Sequence, residues 1–280
     1  MLPRPMSDFL FSILLRLPAF RGKGRILDFF RGRLRHTYVR PVHGLSMRLD
    51  PTEWAQFELL RGHVLERKTL DLYGQLLGDG DTYVDIGGHI GFHSLLARSY
   101  VGPTGRVLAI EPQPYNCNCI LENAKLNGFG NITVQVAAIG SEPGFVNLAL
   151  QPGDDRSVLS LLDSVSAEKV ATAVHFRVPV LPLKTALAQQ QIERVKVLKI
   201  DVEGYECAVL DGLAEIADRI EHVIIEILPP SLARADSGPV FERLSRMGFT
   251  VWRAVDGAPV KQNDPLIDQN LWASRTAPSH

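Results

Sequence analysis

Cysteine is scarce in this chain, with Cys117, Cys119 and Cys207 the only three among 280 residues. Three thiols so placed make neither a disulfide framework nor a zinc-binding set, so a reducing, cytoplasmic compartment is expected. Long apolar runs are missing as well. The most apolar N-terminal stretch, Phe9 to Phe20, is interrupted by Arg16 and Pro18. A membrane-spanning helix needs about 20 apolar residues, and a signal peptide needs an uninterrupted apolar segment with a small-residue cleavage site; this stretch is neither. Net charge is close to nil, at −1, while 45% of residues are hydrophobic and 22% charged. Disorder, collagen and coiled coil are excluded, and a chain this long can bury a core. Length alone suggests about two domains at roughly 150 residues each, and a single α/β domain with an added arm fits equally.

The small net charge conceals an asymmetry. Residues 1–40 hold nine basic side chains (Arg4, Arg16, Arg21, Lys23, Arg25, Arg31, Arg33, Arg35 and Arg40) against Asp8 and Asp28, giving +7 in the arm and −8 in the remainder. Residues 1–44 therefore read as a basic, helical N-terminal arm. Two readings are open for residues 1–40: an amphipathic segment on an anionic membrane surface, peripheral to its inner face, or a helix packed on the body with its arginines solvated. The second is the simpler. No nucleic-acid partner is expected.

Beyond residue 80, short β-rich runs alternate with helix-length stretches, and neither internal repeats nor low-complexity segments occur. That alternation marks βαβ units and a parallel sheet. Strands are predicted at Thr82 to Ile86, Arg106 to Glu111, Ile132 to Ala138, Lys196 to Asp201 and His222 to Leu228, the last stopped by Pro229-Pro230. Helices are predicted at Gly91 to Tyr100, Pro114 to Leu126, Tyr205 to Ala217 and Phe241 to Met247. The second should end at Asn127-Gly128, where glycine can take the left-handed cap conformation. Phe249 to Ala254 and Asn270 to Ser274 are weaker terminal strands. Within residues 141–183, Phe145 to Leu150 and Val174 to Leu183 read as extra β segments around a polar loop, 151–173, placed to shape a substrate pocket.

In open α/β sheets the ligand sits beyond the carboxyl ends of the strands. The sequence puts acids at those ends: Asp85, Glu111, Asp201 with Glu203, and Glu226. Such a crevice repels a pyrophosphate and favours a cation, because unlike charges at ~4 Å gain about 4 kcal/mol at an intermediate dielectric. The dinucleotide fingerprint G-x-G-x-x-G is not met in any register of residues 80–93, and no phosphate loop occurs. Asp85, Gly87 and Gly91 instead spell D-x-G-x-x-x-G. S-adenosylmethionine carries a sulfonium and an ammonium and no phosphate, so an acid beside the turn suits it where it would hinder NAD. Glu111, 20 residues beyond Gly91, stands where a carboxylate accepts hydrogen bonds from ribose hydroxyls.

Four segments together resemble one family. Val84-Asp85-Ile86-Gly87-Gly88-His89-Ile90-Gly91-Phe92, Ala109-Ile110-Glu111-Pro112, Ala137-Ala138-Ile139-Gly140 and Leu198-Lys199-Ile200-Asp201-Val202-Glu203-Gly204-Tyr205-Glu206 are similar to successive motifs of the FkbM family of S-adenosylmethionine-dependent methyltransferases. Asp50-Pro51, Trp54 and the Gly62 to Glu66 stretch resemble that family's lead-in, so the likeness covers roughly residues 45 to 255. It implies an α/β, Rossmann-like class I methyltransferase fold, a doubly wound, mostly parallel seven-stranded sheet with one antiparallel strand, over residues 45–280. It further implies methyl transfer to an oxygen of a sugar, glycan or secondary metabolite. By the same resemblance Asp85, Gly87, Gly88, His89 and Gly91 surround the methionine part of the cofactor, Glu111 and Pro112 its ribose, Ala138 the adenine, and Asp201 the methyl donor. Two positions depart from the pattern. Gly88-His89 stands where the family commonly has Ala-Asn, and Lys184 follows Leu183 where the family tends to carry aspartate.

Methyl transfer asks mainly for orientation, worth up to ~7–11 kcal/mol, plus removal of a proton from a hydroxyl acceptor. Asp201 and Glu203 are the candidate catalytic residues. At i and i+2 their carboxylates share a face if the strand persists, where they either share a proton, with Glu203 the favoured base, or bind a divalent cation. The alternative for Glu203 is a helix cap or an ion pair. No metal ligands are assigned: His89 and His93 fall in a turn and a helix with no third ligand near, and His93 reads as a core residue satisfied by backbone. Cys117 and Cys119 diverge on a helix start. Trp54, Trp252 and Trp272 read as core or cover. Two rival functions remain: a non-catalytic binding or membrane-docking protein on a methyltransferase scaffold, and an N-methyltransferase, which needs no hydroxyl-activating base. Loss of Asp85, Glu111 or the first glycine would favour the former, and all three are present.

Overall fold

A computed structural model describes residues 4–18, 20–31, 34, 36–63, 66–150, 160–161, 174–227, 238–254, 256–260 and 269–275. These divide into two compact units, one ending at residue 63 and the other starting at Glu66.

The first unit holds α1 (Arg4–Arg16), α2 (Lys23–Arg31), a hairpin of β1 (Tyr38–Val42) and β2 (Leu45–Leu49), and α3 (Trp54–Leu60). Ser7, Phe11 and Leu15, spaced by four, are the buried face of α1. The Phe11 ring meets Tyr38 at 5.1 Å and Phe30 and Phe57 at 6.3 Å. In β2, Leu45, Met47 and Leu49 are buried while the residues between them are less so, the period of a strand covered on one side. Residue 44, the expected end of the arm, lies in the turn of the hairpin, so the last residues of that stretch are strand and turn instead of helix.

The second unit begins with α4 (Arg67–Leu76), then β3 (Thr82–Ile86), α5 (Phe92–Val101), β4 (Arg106–Glu111), α6 (Pro114–Leu126) and β5 (Ile132–Val136). After the insertion come β10 (Val195–Ile200), α8 (Glu206–Asp211), β11 (Ile220–Ile227), α9 (Gly238–Arg246), β12 (Thr250–Arg253) and β13 (Gln269–Ser274). Their strands form one seven-stranded sheet in the order β12-β13-β11-β10-β3-β4-β5. Pairing is parallel from β11 through β5, and β13 runs antiparallel to both of its neighbours. This is the doubly wound class I methyltransferase sheet with its single reversed strand. The chain order reverses between β3 and β10, which places the ligand crevice beyond Ile86 and Ile200.

One face of the sheet is apolar throughout. Val84, Ile86, Leu108, Ile110, Leu198, Ile200, Val223 and Ile225 pack there with α7 (Leu183–Gln189), α8 and α9. The opposite face carries Tyr83, Asp85 and Lys199 among its apolar residues, with Lys199 in register beside Asp85. Helix α6 has Pro114 in its first turn, where proline is pre-shaped for a helix. It ends as predicted: Gly128 takes φ 66°, with Phe129 N–H on the Ala124 carbonyl at 3.0 Å and Gly128 N–H on Lys125 at 3.1 Å.

Several boundaries move. The third strand stops at Val136, and Ala138–Ile139 (β6) joins a second sheet, ordered β6-β9-β7-β8, with β7 (Gly144–Leu150), β8 (Ser160–Leu161) and β9 (Val174–Leu181). Strand β9 ends before Pro182, which lacks an N–H for the ladder and stands as the N-cap of α7, so Leu183 is helical instead of strand. The helix predicted to Ala217 breaks after Asp211, where Gly212 packs on the Gly140 backbone, and resumes as a 3-10 turn at Ala214–Arg219. Pro229-Pro230, and loop 151–173 apart from β8, lie outside the described residues. Among the described residues no helix is long and apolar enough to cross a membrane.

Candidate active site

The turn after β3 is closed against two neighbouring strand ends. Gly87 N–H donates to the Ile110 carbonyl at 2.9 Å, and Asp201 N–H donates to Ile86 at 2.9 Å. Gly87 takes φ 86°, and a methyl group there would overlap the Asp201 carbonyl oxygen. Only glycine satisfies both conditions. His89 lies in the same left-handed region at φ 48°, uncommon for a residue with a Cβ and a conformation that tends to mark functional turns. Its backbone N–H donates to Glu111 Oε2 at 3.0 Å. Glu111 Oε1 accepts from Gln113 N–H at 2.9 Å and from Asn116 Nδ2 at 3.3 Å. Pro112 follows directly, and Ala138 lies two residues beyond Val136, the register partner of Glu111, at the same end of the sheet.

Asp85 is buried. Its Oδ2 accepts from Ser94 Oγ at 2.6 Å, while Oδ1 has no hydrogen-bond partner among the described residues. Beside it lies Lys199, 1% exposed, whose Nζ donates to Asp201 Oδ2 at 2.6 Å. A chain of side chains continues across the same face. Tyr83 and Tyr73 hydroxyls are 2.9 Å apart, Tyr73 meets His93 Nδ1 at 2.8 Å, and His93 Nε2 faces Glu66 Oε1 at 3.3 Å. Asn270 then donates to Glu66 Oε2 at 2.6 Å and to Thr69 at 2.8 Å.

Burial and pairing divide the carboxyl groups. Burial pushes Glu111 up to about 7 against its three donors, and pushes Asp85 up against the field of Lys199. Burial would also raise Asp201, but Lys199 holds it below the ordinary carboxylate range. Glu226, next to Asp201 across the sheet, is driven to about 10 by that neighbour and by burial, so it is the protonated member of a hydrogen-bonded carboxyl pair. For Lys199 burial acts downward, yet Asp201, Glu66, Tyr73 and Asp85 outweigh it and keep the ammonium charged.

Asp85, Asp201 and Glu226 thus lie at the strand ends as the sequence indicates, but around the buried cation Lys199, while Glu111 is held apart by donors of its own. Asp201 and Glu203 do not share a strand face: β10 ends at Ile200, and Glu203 takes φ 54° in the following turn. Glu206, not Glu203, accepts the Gly204 N–H at that helix start, at 2.9 Å. Among the described residues no three His, Cys, Asp or Glu side chains group as metal ligands. His93 is satisfied by Tyr73 and Glu66 side chains instead of backbone. Trp252 and Trp272 are buried together with rings 5.0 Å apart, whereas Trp54 is exposed.

The model of the methyltransferase FkbM domain matches residues 85–251, from the acid of the first strand end to β12. The chain belongs to the FkbM methyltransferase family. As a member it is an S-adenosylmethionine-dependent methyltransferase. It is 29% identical over 228 residues to Methyltransferase 1 of Beauveria bassiana, covering 76% of this chain and 89% of that one. It is 21% identical over 196 residues to the hexuronic acid methyltransferase AglP of Haloferax volcanii, covering 70% and 76%. Among solved structures, a SAM-dependent O-methyltransferase from Thermotoga maritima aligns at TM-score 0.44 and 13% identity, over 78% of this chain and 68% of that one.

The FkbM match starts at Asp85 and so leaves out Glu66 and Tyr73, which the fold brings to the same network. Sequence reasoning also passed over Lys199, Ser94 and Asn270. Lys199 had a signal of its own: a lysine between Leu198 and Ile200, two residues before an acid, on a predicted strand of a parallel sheet, where strands are ordinarily covered on both faces.

Proposed function

We infer that this FkbM methyltransferase transfers the methyl group of S-adenosylmethionine to a hydroxyl oxygen of a sugar, a glycan or a related metabolite. The observation that carries the reading is the pair of acids flanking the turn from Gly87 to Gly91. Asp85 keeps a buried oxygen with no partner, the acceptor an ammonium requires. Glu111 uses three of the roughly four acceptor positions of a carboxylate, leaving one for a ribose hydroxyl. Gly88, His89, Gly91, Pro112 and Ala138 complete the cofactor wall, and Asp201 lies across the turn from Gly87. The Haloferax relative is named for hexuronic acid methylation, which supports a glycan acceptor. The β insertion at about 141–183 is the segment proposed to choose it.

The bound donor supplies a sulfonium methyl whose carbon bonds to the acceptor oxygen as the carbon–sulfur bond breaks. The chain's own residues orient the acceptor and take its proton. Asp201, held ionised by Lys199, has low proton affinity and serves to hold a cationic group. Glu203, on the left-handed turn just beyond it, is the proposed base. Calorimetric titration with S-adenosylmethionine and with NAD tests the cofactor: binding of the first alone is expected, lost in Asp85→Ala and Glu111→Ala, and binding of NAD alone or of neither overturns the reading. With radiolabelled methyl donor and hexuronic-acid glycans, Glu203→Gln should lower kcat by 10²–10⁴ while donor affinity stays put. Full rate in that variant removes the base and leaves catalysis to positioning or to a nitrogen acceptor.

A further inference from the structure

The first unit presents a surface that the methyltransferase reading does not use. Opposite the buried face of α1, Phe9 is 63% exposed and Ile13 and Leu17 follow at steps of four, while Phe20, beyond the helix, is exposed as well. Leu17 N–H still bonds to the Ile13 carbonyl at 3.2 Å, so the helical spacing runs on past Arg16. Helix α2 adds exposed Ile26 and Phe29. Thus α1 has one apolar face turned inward and a second turned to solvent, whereas a helix of an ordinary globular surface carries polar residues there.

The exposed charges along this stripe are mostly basic. Arg16, Arg21 and Arg25 are exposed within it. The two acids of the segment are engaged elsewhere, Asp8 by the Tyr38 hydroxyl at 2.8 Å and Asp28 by Arg61 at 3.0 Å. Large apolar and aromatic side chains interleaved with exposed arginines fit the boundary between headgroups and acyl chains, where the apolar groups insert and the guanidinium groups meet lipid phosphate. A second copy of the chain fits poorly. A two-fold interface sets a patch against itself and would place these arginines against their own counterparts.

We propose that the stripe from Phe9 to Phe29 docks the enzyme on an anionic bilayer surface, lying in the interface without crossing it. The docking does not depend on which acceptor is methylated. Full-length protein is floated with vesicles of phosphatidylcholine containing about a third phosphatidylglycerol, and with pure phosphatidylcholine vesicles. Association with the anionic vesicles, released by salt, is expected. Combined Arg16→Gln, Arg21→Gln and Arg25→Gln should lower partitioning roughly hundredfold, and Phe9→Ser with Phe29→Ser at least tenfold. Both sets of positions are exposed, so helical circular dichroism and S-adenosylmethionine binding should be unchanged in the variants. Failure of the intact protein to float, equal binding to both vesicle types, or unchanged binding by either variant overturns the proposal. So does a dimer that ignores vesicles and dissociates in the Phe variant, which would assign the stripe to self-association.

Discussion

Lys199 sits between carboxylates contributed by three different parts of the chain, and its ammonium keeps them compatible with burial. Removing it leaves Asp201, Asp85 and Glu66 facing one another without a counter-charge, and breaking a buried ion pair from one side costs about 3–5 kcal/mol. Lys199→Met should therefore unfold at markedly lower denaturant concentration. Lys199→Met combined with Asp201→Asn should recover part of that loss, a non-additivity that a double-mutant cycle reads directly. Strictly additive losses would mean that the 2.6 Å contact contributes nothing specific. At this scale the sequence displayed the acids clearly, because each ends a recognisable strand. Glu66 and Asn270 were beyond its reach. Their hydrogen bond joins residues at opposite ends of the domain, and no local pattern signals such a meeting.

At the scale of elements, the loops after β3 and β10 are one structure in two pieces, tied by the Asp201 N–H to Ile86 bond and by the space that Gly87 leaves for the Asp201 carbonyl. Gly87→Ala must both displace that carbonyl and hold a Cβ at φ 86°. A cost of at least ~2 kcal/mol is expected, with S-adenosylmethionine affinity reduced more than tenfold. Gly88→Ala is the contrast. Its added methyl would meet Ile120, Ala109 and Asp85 at 3.4–3.7 Å, ordinary contact distances, so near-wild-type stability and binding are expected in thermal melts and calorimetry. The parallel strands and α6 were legible in the sequence because period, flanking glycines and the helix stop agree. Helix α7 was not, since the β-rich run that begins at Val174 continues in the sequence across Pro182 into Leu183. The register of Asp201 against Glu203 failed for a related reason: strand length is set by the partner strand, and β3 ends at Ile86, opposite Ile200.

For the molecule as a whole, buried carboxyl groups set an unusual pH dependence. A carboxyl raised in the folded state stabilises fully below its unfolded pKa and loses that contribution as pH rises through the folded value. Glu111 therefore withdraws stability between about 4.5 and 7, and Glu226 between about 4.5 and 10. Asp201, lowered by Lys199, works oppositely, contributing above its unfolded value and failing on acidification. Apo protein should melt highest near pH ~5–6 and lower at pH ~8, and Glu111→Gln should flatten the fall across neutrality. Under the proposed ribose contact, donor affinity should rise over that same range, because an ionised Glu111 is the stronger acceptor for a hydroxyl. A melting temperature that climbs steadily from pH ~5 to 8 would contradict this account of the carboxyl groups. The sequence by itself determined the alternation of strands and helices, the acids at the strand ends and the basic arm, because these follow from periodicity and local composition. The tertiary structure decided which acids stay ionised, that a lysine lies among them, and which face of α1 is left to solvent. Those outcomes depend on burial and on distances between residues far apart in the chain, and only folding sets them.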